Sequence, residues 1–565
     1  MKLPRLSLWL ATLPSFVLVP AVAAQANSDS LAAQTDKVFA QWDKPDSPGC
    51  VCAVMREGEV VYSRAFGIAN LELDVPLTPQ SVFYIASVSK QFTAASIALL
   101  ALRGQLSLDD DIRKYVPEMA DFGDTITIQQ LVHHTSGLRN RGGLARLSGR
   151  TRRDYSNNTR TLALLSRQRT LNFRPGEEYL YSNSGYVLLA EIVNRVSGQS
   201  LREFAEENIF GPLGMANTQF DDDYRTIVKH RVASYSQGEQ GGLHRYLKAH
   251  RYNVGSGGLL STVEDLLRWN RNFDDMTVGG PHFIELMLTR GILNDGDTID
   301  YAFGLVHEAY RILKTVRHGG GHQGFRTELR RFPEPRFSVA VLCNLATINP
   351  HRLARQVADI YLRDVFGTAA TADESRAAPE TVSVSTAELE RVTGHYWTIG
   401  EASLQRIYLQ RDTLRSYRRG SERTLVPLGN DRFYVLDVPW EQIVSFTSPN
   451  PEQPQQMIVV IDDGKPRVFD AVESMSPSPS DLEGYLGTYF SEELDYAWVI
   501  RVTNDGLSSW DPRTWDEFAL RPVAKDVFQS LEEGDTLTFS RDGQGRVVGF
   551  TVDTGRIRNL KFVRR

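Results

Sequence analysis

The sequence contains little cysteine, no excess of charge of one sign and few long apolar runs. Only 3 of its 565 residues are cysteines, which excludes a small fold held together by many disulfides. A formal net charge of -6 and a pI of about 6.1 give no basic field for a polyanion, so nucleic acid is not an expected partner. Beyond the N terminus no stretch is long enough to cross a bilayer, and we expect no membrane span there.

Several catalytic signatures are also absent from the sequence. No G-x-S-x-G elbow surrounds a serine, which argues against an α/β-hydrolase. Neither a phosphate-binding P-loop nor a dinucleotide fingerprint is present. HEAYR at 307–311 lacks the second histidine of a zinc motif, and no other Cys/His cluster has the spacing of zinc ligands. We therefore expect neither a metal nor a cofactor.

The first 26 residues have the features of an export signal. Two basic residues precede an apolar run from Leu8 to Val22, and small residues follow in the segment AVAAQA. Cleavage after Ala23 and cleavage after Ala26 fit this pattern equally well. A membrane anchor is the alternative, but two prolines interrupt the run and it is shorter than the ~20 residues of a span. We predict a signal peptide at 1–26 and a periplasmic or secreted protein.

Cys50, Cys52 and Cys343 leave two interpretations open. Cys50 and Cys52 are two residues apart in CVCAVM, so a strand would place both on one face. In the first interpretation, the cysteines are small buried apolar residues on strands. In the second, a disulfide joins one of them to Cys343, which requires the first and a late strand of the sheet to be neighbours.

The first two thirds of the chain combine strands at both ends with helices between them. Residues 49–70 predict a strand, a turn and a second strand, and RFSVAVLCNLA at 336–346 predicts a late strand. Residues 87–103 predict a helix from apolar side chains at helical spacing, and 185–198 and 262–273 predict further helices. This order favours an α+β domain in which one antiparallel sheet is built from both ends of the segment.

The composition changes at 368–380, a segment poor in large apolar side chains that predicts a linker. Beyond it, short alternating segments predict strands, and an internal repeat divides them. ELERVTGHYW at 388–397 matches DLEGYLGTYF at 481–490, and LVPLGNDRF at 425–433 matches LRPVAKDVF at 520–528, at offsets of 93 and 95 residues. We predict two tandem all-β units, each a small antiparallel barrel that removes its strand edges by closure. The predicted domains are a signal peptide at 1–26, an α+β domain at 27–367, a linker at 368–385, and two barrel domains at 386–478 and 479–565.

SVSK at 87–90 sets a serine three residues before a lysine at the start of a predicted helix. If the helix begins at Ser87, Lys90 lies one turn on and on the same face, about 4.5 Å along the axis. A lysine that is partly desolvated and near other cations has a lowered pKa and can take the serine proton. The helix N terminus would also favour the negative charge that develops on an attacked carbonyl oxygen. A serine that only caps the helix is the alternative.

Two further segments carry residues that suit the same chemistry. In EYLYSNSGYVLL, Tyr181 can relay a proton beside a cationic lysine, and Asn183 can contact both a substrate amide and the lysine. In VRHGGGHQGFRTEL at 316–329, three glycines let the backbone approach a ligand and present free N–H groups. His318 and His322 beside them are candidates for groups that titrate near neutral pH. Ordinary loop and turn chemistry is the alternative for both segments.

Together the three motifs resemble a known family. S-x-x-K at 87–90, Y-x-N at 181–183 and H-x-G at 318–320 have the order and rough separation found in the serine β-lactamase-like, penicillin-recognising hydrolases. The resemblance is closest to the branch of class C β-lactamases, D-aminopeptidases, carboxylesterases and D-Ala-D-Ala peptidases. It covers roughly residues 35–365, where the following segments look like family landmarks: FGIANLELDVPLTPQSVFYIASVSKQFTA, LVHHTSGL, RPGEEYLYSNSGY, PLGMANTQF and GSGGLLSTVEDLLRW.

The resemblance implies a role for each matching position. The implied catalytic residues are the acylated nucleophile Ser87, the base Lys90, the proton relay Tyr181, and His318 of the third motif. The implied substrate-binding residues are Asn183, Gly319, Gly320 and Gly321. The backbone N–H groups of Ser87 and Gly321 would form the oxyanion hole. The implied reaction has two steps through a covalent ester, without a metal.

One departure from the family pattern concerns the substrate. True β-lactamases and many penicillin-binding proteins begin the third motif with a lysine that pairs with the substrate carboxylate, whereas this sequence has His318, as D-aminopeptidases do. KTV at 314–316 resembles the lysine version but lacks the glycine. This difference argues against efficient penicillin hydrolysis.

A domain of this kind followed by two small barrels resembles the three-domain D-aminopeptidases, in which a loop from the last barrel narrows the active site. SSWDPRTWDEF at 508–518 has a suitable polar and aromatic character. Asp511 or Asp516 could contact a substrate amine there, but an ordinary surface loop is the favoured interpretation.

The sequence as a whole predicts an exported serine hydrolase that cleaves a small amide or ester through an acyl-serine intermediate. Its substrate would be a small peptide, as for a D-aminopeptidase or a peptidase of peptidoglycan fragments. A carboxylesterase or a weak β-lactamase is the alternative within the same enzyme class. A non-catalytic, penicillin-binding-like sensor is the alternative from another class, but such a protein would not need Lys90 or Tyr181.

Overall fold

The computed structural model describes residues 30–565, with the exception of 152–153, 239–241, 247–250, 368–380, 399–402, 419–420, 437, 439–441, 449–453, 462–465, 474, 476, 504–505 and 531. The predicted signal peptide at 1–26 and residues 368–380 of the predicted linker lie outside the described residues. Within the part of the chain that is described, no helix combines the length and the apolar character needed to cross a membrane.

The chain up to residue 367 contains both strands and helices. Its strands are β1 (Cys50–Arg56), β2 (Glu59–Phe66), β3 (Ile68–Asn70), β4 (Val75–Pro76), β5 (Phe83–Tyr84), β6 (Ser156–Asn157), β7 (Gln219–Phe220), β8 (Ser234–Gln237), β9 (Leu243–Tyr246), β10 (Arg251–Tyr252), β11 (Leu259–Ser261), β12 (Val306–Tyr310), β13 (Leu313–His322), β14 (Phe325–Phe332) and β15 (Phe337–Cys343). Its α-helices are α1 (30–39), α2 (Lys90–Leu102), α3 (Ile128–Val132), α4 (Arg141–Leu147), α5 (Asn158–Leu165), α6 (Asn183–Ser197), α7 (Leu201–Ala205), α8 (Gly211–Leu213), α9 (Val263–Asp275), α10 (Gly280–Leu288), α11 (Pro350–Tyr361) and α12 (Arg363–Phe366). Short 3-10 turns lie at Ala40–Trp42, Ala86–Ser89 and Ile112–Lys114, and a π-helical turn at Glu206–Phe210.

The central sheet is antiparallel and is built from both ends of this segment. Its strand order is β12-β13-β14-β15-β1-β2, so the first strand lies between the last strand and its own hairpin partner. β1 is buried along almost its whole length, which is why its sequence is continuously apolar. Val51 and Ala53 belong to the core shared with α2 and α9, while Cys52 and Val54 belong to the core shared with α1 and α11. The predicted α+β arrangement is confirmed.

Cys50 and Cys343 lie directly opposite each other in the β1–β15 pair and form a disulfide. The condition for such a bridge, that the first and a late strand are neighbours, is therefore met. Cys52 is a free and fully buried thiol. Burial raises the pKa of this thiol, which makes it an unreactive core residue. The disulfide interpretation thus holds for Cys50 and Cys343, and the interpretation as a buried apolar residue holds for Cys52.

The predicted helices begin and end at capping residues. Thr262 caps α9, and its hydroxyl accepts a hydrogen bond from a backbone N–H three residues on, at 3.2 Å. Gly198 closes α6 in the left-handed conformation, with φ 75°. The helix predicted at 87–103 is divided, because a 3-10 turn covers Ala86–Ser89 and α2 begins only at Lys90. The S-x-x-K motif therefore spans the junction of two helix types.

Two closed antiparallel barrels of eight strands each follow, and each is preceded by a short helix. The first comprises α13 (Thr386–Glu390), β16 (Gly394–Thr398), β17 (Ser403–Gln410), β18 (Thr413–Arg418), β19 (Ser421–Gly429), β20 (Arg432–Val435), β21 (Gln442–Phe446), β22 (Gln456–Ile461) and β23 (Arg467–Val472). The second comprises α14 (Pro479–Glu483), β24 (Gly487–Ser491), β25 (Tyr496–Thr503), β26 (Gly506–Trp510), β27 (Glu517–Ala524), β28 (Val527–Ser530), β29 (Thr536–Arg541), β30 (Val547–Thr554) and β31 (Ile557–Arg564). In each barrel the first strand pairs with the last, which confirms the predicted closure.

Corresponding residues of the two barrels have the same structural roles at the offset of 93 residues. Ser385 and Ser478 cap α13 and α14 through capping boxes. Tyr396 and Tyr489 are buried, and their hydroxyls donate to backbone carbonyls four residues earlier, at 2.9 and 2.7 Å. The internal sequence repeat is thus a repeat of one folding unit.

The second barrel packs on the α+β domain and shares its core. Trp498 of this barrel is buried, and its indole N–H donates to the carbonyl oxygen of Leu147 on α4 at 3.1 Å. Apolar side chains of the second barrel and of the helices form one continuous cluster, whereas the first barrel has a cluster of its own. The second barrel is therefore rigidly placed beside the helices.

A buried ion pair crosses the same interface. Arg139 is fully buried, and its Nη1 lies 2.8 Å from Oε2 of Glu493 in the second barrel. The guanidinium also donates to both oxygens of Thr170 and to the backbone carbonyls of Arg558 and Asn559. One side chain thus joins two segments of the barrel to the loop before α4.

Replacing Arg139 by alanine is expected to lower the free energy of unfolding by about 3–5 kcal/mol, because Glu493 is then left buried without its partner. Urea denaturation of the full chain, followed by tryptophan fluorescence, measures the change. Arg167 provides a matched control, since it pairs with Asp495 at 3.2 Å across the same interface but both side chains are about half exposed. Arg167→Ala is expected to cost about 0–1 kcal/mol. Equal losses in the two variants would contradict the prediction.

Candidate active site

Ser87 lies on the 3-10 turn in front of α2, one turn from Lys90. Ser87 Oγ and Lys90 Nζ are 3.3 Å apart. Neither this turn nor α2 has a side-chain cap hydrogen bond at its start, so hydrogen bonding does not favour the alternative in which Ser87 only caps a helix. The spacing of S-x-x-K instead holds the hydroxyl against the amine.

Lys90 is fully buried, and fixed acceptors surround its amine. Nζ lies 2.8 Å from Asn183 Oδ1 and 2.6 Å from the carbonyl oxygen of Ser256. A carbonyl oxygen can only accept a hydrogen bond. A neutral amine has two N–H bonds, which these two acceptors take up, so its lone pair is left for the hydroxyl of Ser87. The arrangement suits Lys90 to take the serine proton.

Burial and nearby cations favour this neutral form of Lys90. Removal from water lowers the pKa of Lys90 well below its usual value, and the positive charges of Arg556 and Arg141 lower it further. Burial moves the pKa of Tyr181 the other way, above its usual value. These two shifts favour the neutral amine of Lys90 and the protonated hydroxyl of Tyr181.

Tyr181 is placed by the N terminus of α6, which begins at Asn183. Its ring packs against that of His134, with centroids 4.2 Å apart, and its centroid lies 4.8 Å from Lys90 Nζ. Its hydroxyl oxygen is buried and makes no hydrogen bond to a described residue within normal geometry. The nearby Ser87 side chain partly offsets the effect of burial on the pKa of Tyr181. An orphaned buried hydroxyl at this place suits a group that exchanges a proton with substrate.

His318 reaches the site on β13, but both of its ring nitrogens are already engaged. Nδ1 lies 2.7 Å from the carbonyl oxygen of Gly319, so Nδ1 carries the proton. Nε2 then accepts a hydrogen bond from the Tyr301 hydroxyl at 3.1 Å. Burial is the main cause that lowers the pKa of His318 to about 3, and a proton on Lys90 acts in the same direction. The expectation that His318 titrates near neutral pH is wrong, and its geometry is that of a positioning residue.

The glycines after His318 allow β13 to touch the turn that carries Ser87. A Cβ on Gly320 would lie 2.3 Å from the carbonyl oxygen of Ile85, closer than any side chain tolerates. Thr327 on β14 donates to the same oxygen at 3.0 Å. Glycine at this position therefore allows the short distance between β13 and the turn that carries Ser87.

The other members of the third motif lie on the same strand. Gly319 and Gly321 flank the contact, and a Cβ on Gly321 would meet only the Arg326 side chain, 3.8 Å away. His322 ends the strand. The backbone beside Gly321 is thus open to a ligand, and the oxyanion hole at the N–H groups of Ser87 and Gly321 stays a prediction.

The backbone carbonyl that accepts a hydrogen bond from Lys90 belongs to Ser256, in a segment for which the sequence predicted no role. Ser256 lies in the landmark GSGGLLST, directly after Gly255, which has φ 103°. A Cβ on Gly255 would lie 2.2 Å from the carbonyl oxygen of Tyr186 on α6. Only glycine lets the chain pass α6 closely enough for Ser256 to reach the amine. The glycines of the landmark are the signal that indicates such a close approach.

Two other supporting side chains were also missed. His134 accepts at Nδ1 from the backbone N–H of Ser182 at 3.2 Å, which fixes the residue after Tyr181. Tyr301 orients His318 through the hydrogen bond to Nε2. His134 belongs to the landmark LVHHTSGL, whereas nothing in the sequence pattern singles out Tyr301.

The part of the second barrel that reaches the site is not the predicted one. Several residues of the segment 508–518, Asp511 and Asp516 among them, line a separate cavity of about 220 Å³ together with residues of α4 and the loop after it. No described residue of the three motifs lines that cavity, so the structure does not support a substrate contact of Asp511 or Asp516 at the motif residues. The hairpin between β30 and β31 instead places the guanidinium carbon of Arg556 4.7 Å from the centroid of the Tyr181 ring.

A family model and several known proteins are similar to this chain. The family model described as Beta-lactamase matches residues 35–362, more than half of the chain. The chain is 29% identical to a D-aminopeptidase of Gluconobacter oxydans (strain 621H) over 370 residues, which are 65% of this chain and 68% of that protein. It is 25% identical to a D-aminopeptidase of Brucella anthropi over 536 residues, which are 92% of this chain and 95% of that protein. The second match extends through both barrels.

A solved structure shares the fold. The octameric penicillin-binding protein homologue from Pyrococcus abyssi superposes with a TM-score of 0.54 at 24% sequence identity. The superposition covers 79% of this chain and 100% of that chain.

Proposed function

Because the chain belongs to the beta-lactamase family, we propose that it is an exported serine hydrolase that cleaves a small amide or ester through an acyl intermediate on Ser87. One observation carries the proposal: the Ser87 hydroxyl lies 3.3 Å from a buried amine whose two N–H bonds have other acceptors. Such a pair is suited to be an activated nucleophile, because the lowered pKa of Lys90 favours the neutral amine, whose lone pair then faces the hydroxyl.

The first half of the reaction forms the acyl-enzyme. Lys90 accepts the proton of Ser87 while the serine oxygen bonds to the substrate carbonyl carbon. The oxyanion that results would be held by the predicted N–H groups of Ser87 and Gly321. Tyr181 then gives its proton to the leaving nitrogen or oxygen and recovers one from Lys90, so the bond to the leaving group breaks without charge building up.

The second half returns the enzyme to its resting state. A water molecule gives a proton to the same relay and attacks the ester carbonyl, and the proton returns to Ser87 as the acid leaves. Asn183 supports both halves, since Oδ1 holds Lys90 and the amide nitrogen on the other side is left to contact substrate.

Two observations support export. The N-terminal apolar run has the character of a signal peptide. The disulfide between Cys50 and Cys343 fits an oxidising compartment outside the cytosol.

The test is a substrate panel joined to detection of the intermediate. Purified protein without the signal segment is assayed with p-nitroanilides of D-Ala, L-Ala and Gly and with short-chain p-nitrophenyl esters. A fluorophosphonate is expected to add covalently to the peptide that contains Ser87, as read by mass spectrometry. Cleavage of esters alone would make the protein a carboxylesterase. Absence of both turnover and labelling would overturn the proposal in favour of a non-catalytic sensor.

A further inference from the structure

Arg556 is an exposed cation at the mouth of the site. It lies at the tip of the β30–β31 hairpin, with its guanidinium over the ring of Tyr181. Among the described residues, no carboxylate forms an ion pair with it. Arg558, two residues further along, differs in this respect, because it pairs with Glu178 at 2.9 Å. Arg558 therefore links the second barrel to the α+β domain, whereas Arg556 faces the site.

The position of Arg556 is fixed by its backbone. Its carbonyl oxygen accepts from the backbone N–H of Asn140 at 3.2 Å and from Asn172 Nδ2 at 3.1 Å. The next residue, Ile557, is buried against α4, where a Cβ on Gly143 would come within 2.5 Å of its Cδ1. The hairpin tip is therefore anchored to the α+β domain on both sides, which holds the backbone of Arg556 beside the site.

This placement brings like charges together. Arg556 and Arg141 both lower the pKa of the buried Lys90, so each repels a proton there. Arg556 thus brings positive charge to the site that a bound anion would compensate. A substrate ammonium group at this mouth would meet repulsion instead.

We infer that Arg556 binds a carboxylate carried by the leaving group of the substrate. The inference rests on the proposed function and gives its substrate class: an amide or ester whose leaving group bears an anionic carboxylate. In the proposed mechanism Tyr181 gives its proton to the leaving atom, so the leaving group lies next to the Tyr181 side chain. The guanidinium of Arg556 covers the face of the Tyr181 ring and is therefore close to the leaving group. The planar guanidinium fork matches the two oxygens of a carboxylate.

A pair of chromogenic substrates tests the inference. Both compounds carry the same acyl group. Its leaving group is 4-nitroaniline in the first compound and 5-amino-2-nitrobenzoic acid in the second, so the two differ only by one carboxylate on the leaving group. The ratio of kcat/KM for the two compounds is measured at one pH. We expect the unmodified protein to favour the carboxylated compound by about 10- to 100-fold, as a charge-assisted hydrogen bond of about 1.5–3 kcal/mol implies.

Variants of Arg556 assign the preference to one side chain. Arg556→Gln is expected to bring the ratio close to one, and Arg556→Glu to invert it. Loss of a cation also raises the pKa of Lys90, but that change affects both compounds equally and cancels in the ratio. Arg558→Gln is the matched control, which removes a guanidinium from the same hairpin and is expected to keep the ratio of the unmodified protein.

The outcomes separate this inference from the proposed function. If the protein is not labelled by fluorophosphonate and cleaves neither compound, the proposed function fails. If it cleaves both compounds and Arg556→Gln leaves their ratio unchanged, the function holds and the carboxylate site is overturned. A preference that appears only when the carboxylate is moved to the acyl group also overturns the inference.

Discussion

Replacing Ser87 by alanine is expected to lower kcat/KM for amide and ester substrates by about 10⁴-fold or more. In the proposed mechanism the Ser87 oxygen forms the acyl bond, and loss of the nucleophile from a serine–base pair removes nearly all the rate that depends on that bond. The side chain makes no helix cap, so the fold is expected to stay intact. Steady-state rates, fluorophosphonate labelling and a thermal melt of the variant measure the three quantities.

Ser89 offers a matched control on the same turn. Its hydroxyl is buried, donates to the carbonyl oxygen of Ala86 at 2.5 Å and accepts from the backbone N–H of Leu259 at 3.1 Å. Ser89→Ala is expected to lose about 1 kcal/mol of stability and to remain labelled at Ser87. Labelling that persists in Ser87→Ala would show that another residue is the nucleophile.

Replacing Lys90 by methionine is expected to lower kcat/KM by about 10²- to 10⁴-fold, the usual contribution of a positioned general base. Methionine keeps most of the volume of the buried side chain and removes only the amine. Ser87 remains in place, so slow labelling by fluorophosphonate is expected to persist. This pattern would separate loss of the base from loss of the nucleophile.

The pH profile gives a second measure of the role of Lys90. Only the neutral amine accepts a proton, so kcat/KM of the unmodified protein is expected to rise with pH as Lys90 loses its proton. Because burial and two arginines lower that pKa, this rise lies well below the usual range of lysine. Arg556→Gln removes one repelling charge, raises the pKa of Lys90 and moves the rise to higher pH.

The exposed Lys114 serves as control for Lys90. Its amine pairs with Asp110 at 3.0 Å on the protein surface, and Lys114→Met is expected to leave both the rate and the profile unchanged. If Lys90→Met kept the same rise at the same pH, a group other than Lys90 would be the base.

Much of the fold followed from local patterns. The apolar run of β1 marked a central strand, and the offset of 93 residues marked two copies of one barrel. The resemblance to the β-lactamase-like family is confirmed by the family match and by relatives named D-aminopeptidases. These predictions succeeded because the spacing of apolar residues and the matches between repeats can be read directly from short stretches of the sequence.

The candidate site was also predicted only in part from the sequence. S-x-x-K, Y-x-N and H-x-G lie on three separate elements, and the structure brings Ser87, Lys90, Tyr181, Asn183 and His318 together. The tautomer of His318 was out of reach, because it depends on Tyr301 and on burial. The sequence did not single out the β30–β31 hairpin, because it and 508–518 are both polar turns, and only docking of the barrel decides which one meets Tyr181.

The sequence by itself determined which groups are candidates for the chemistry and which segments form strands, helices and repeated barrels. Tertiary structure alone decided the protonation of those groups and the charge around them. The reason is that a pKa depends on the loss of water and on charges from remote segments. The pKa of Lys90 is lowered by burial and by Arg556, a residue of another domain that no local pattern links to it.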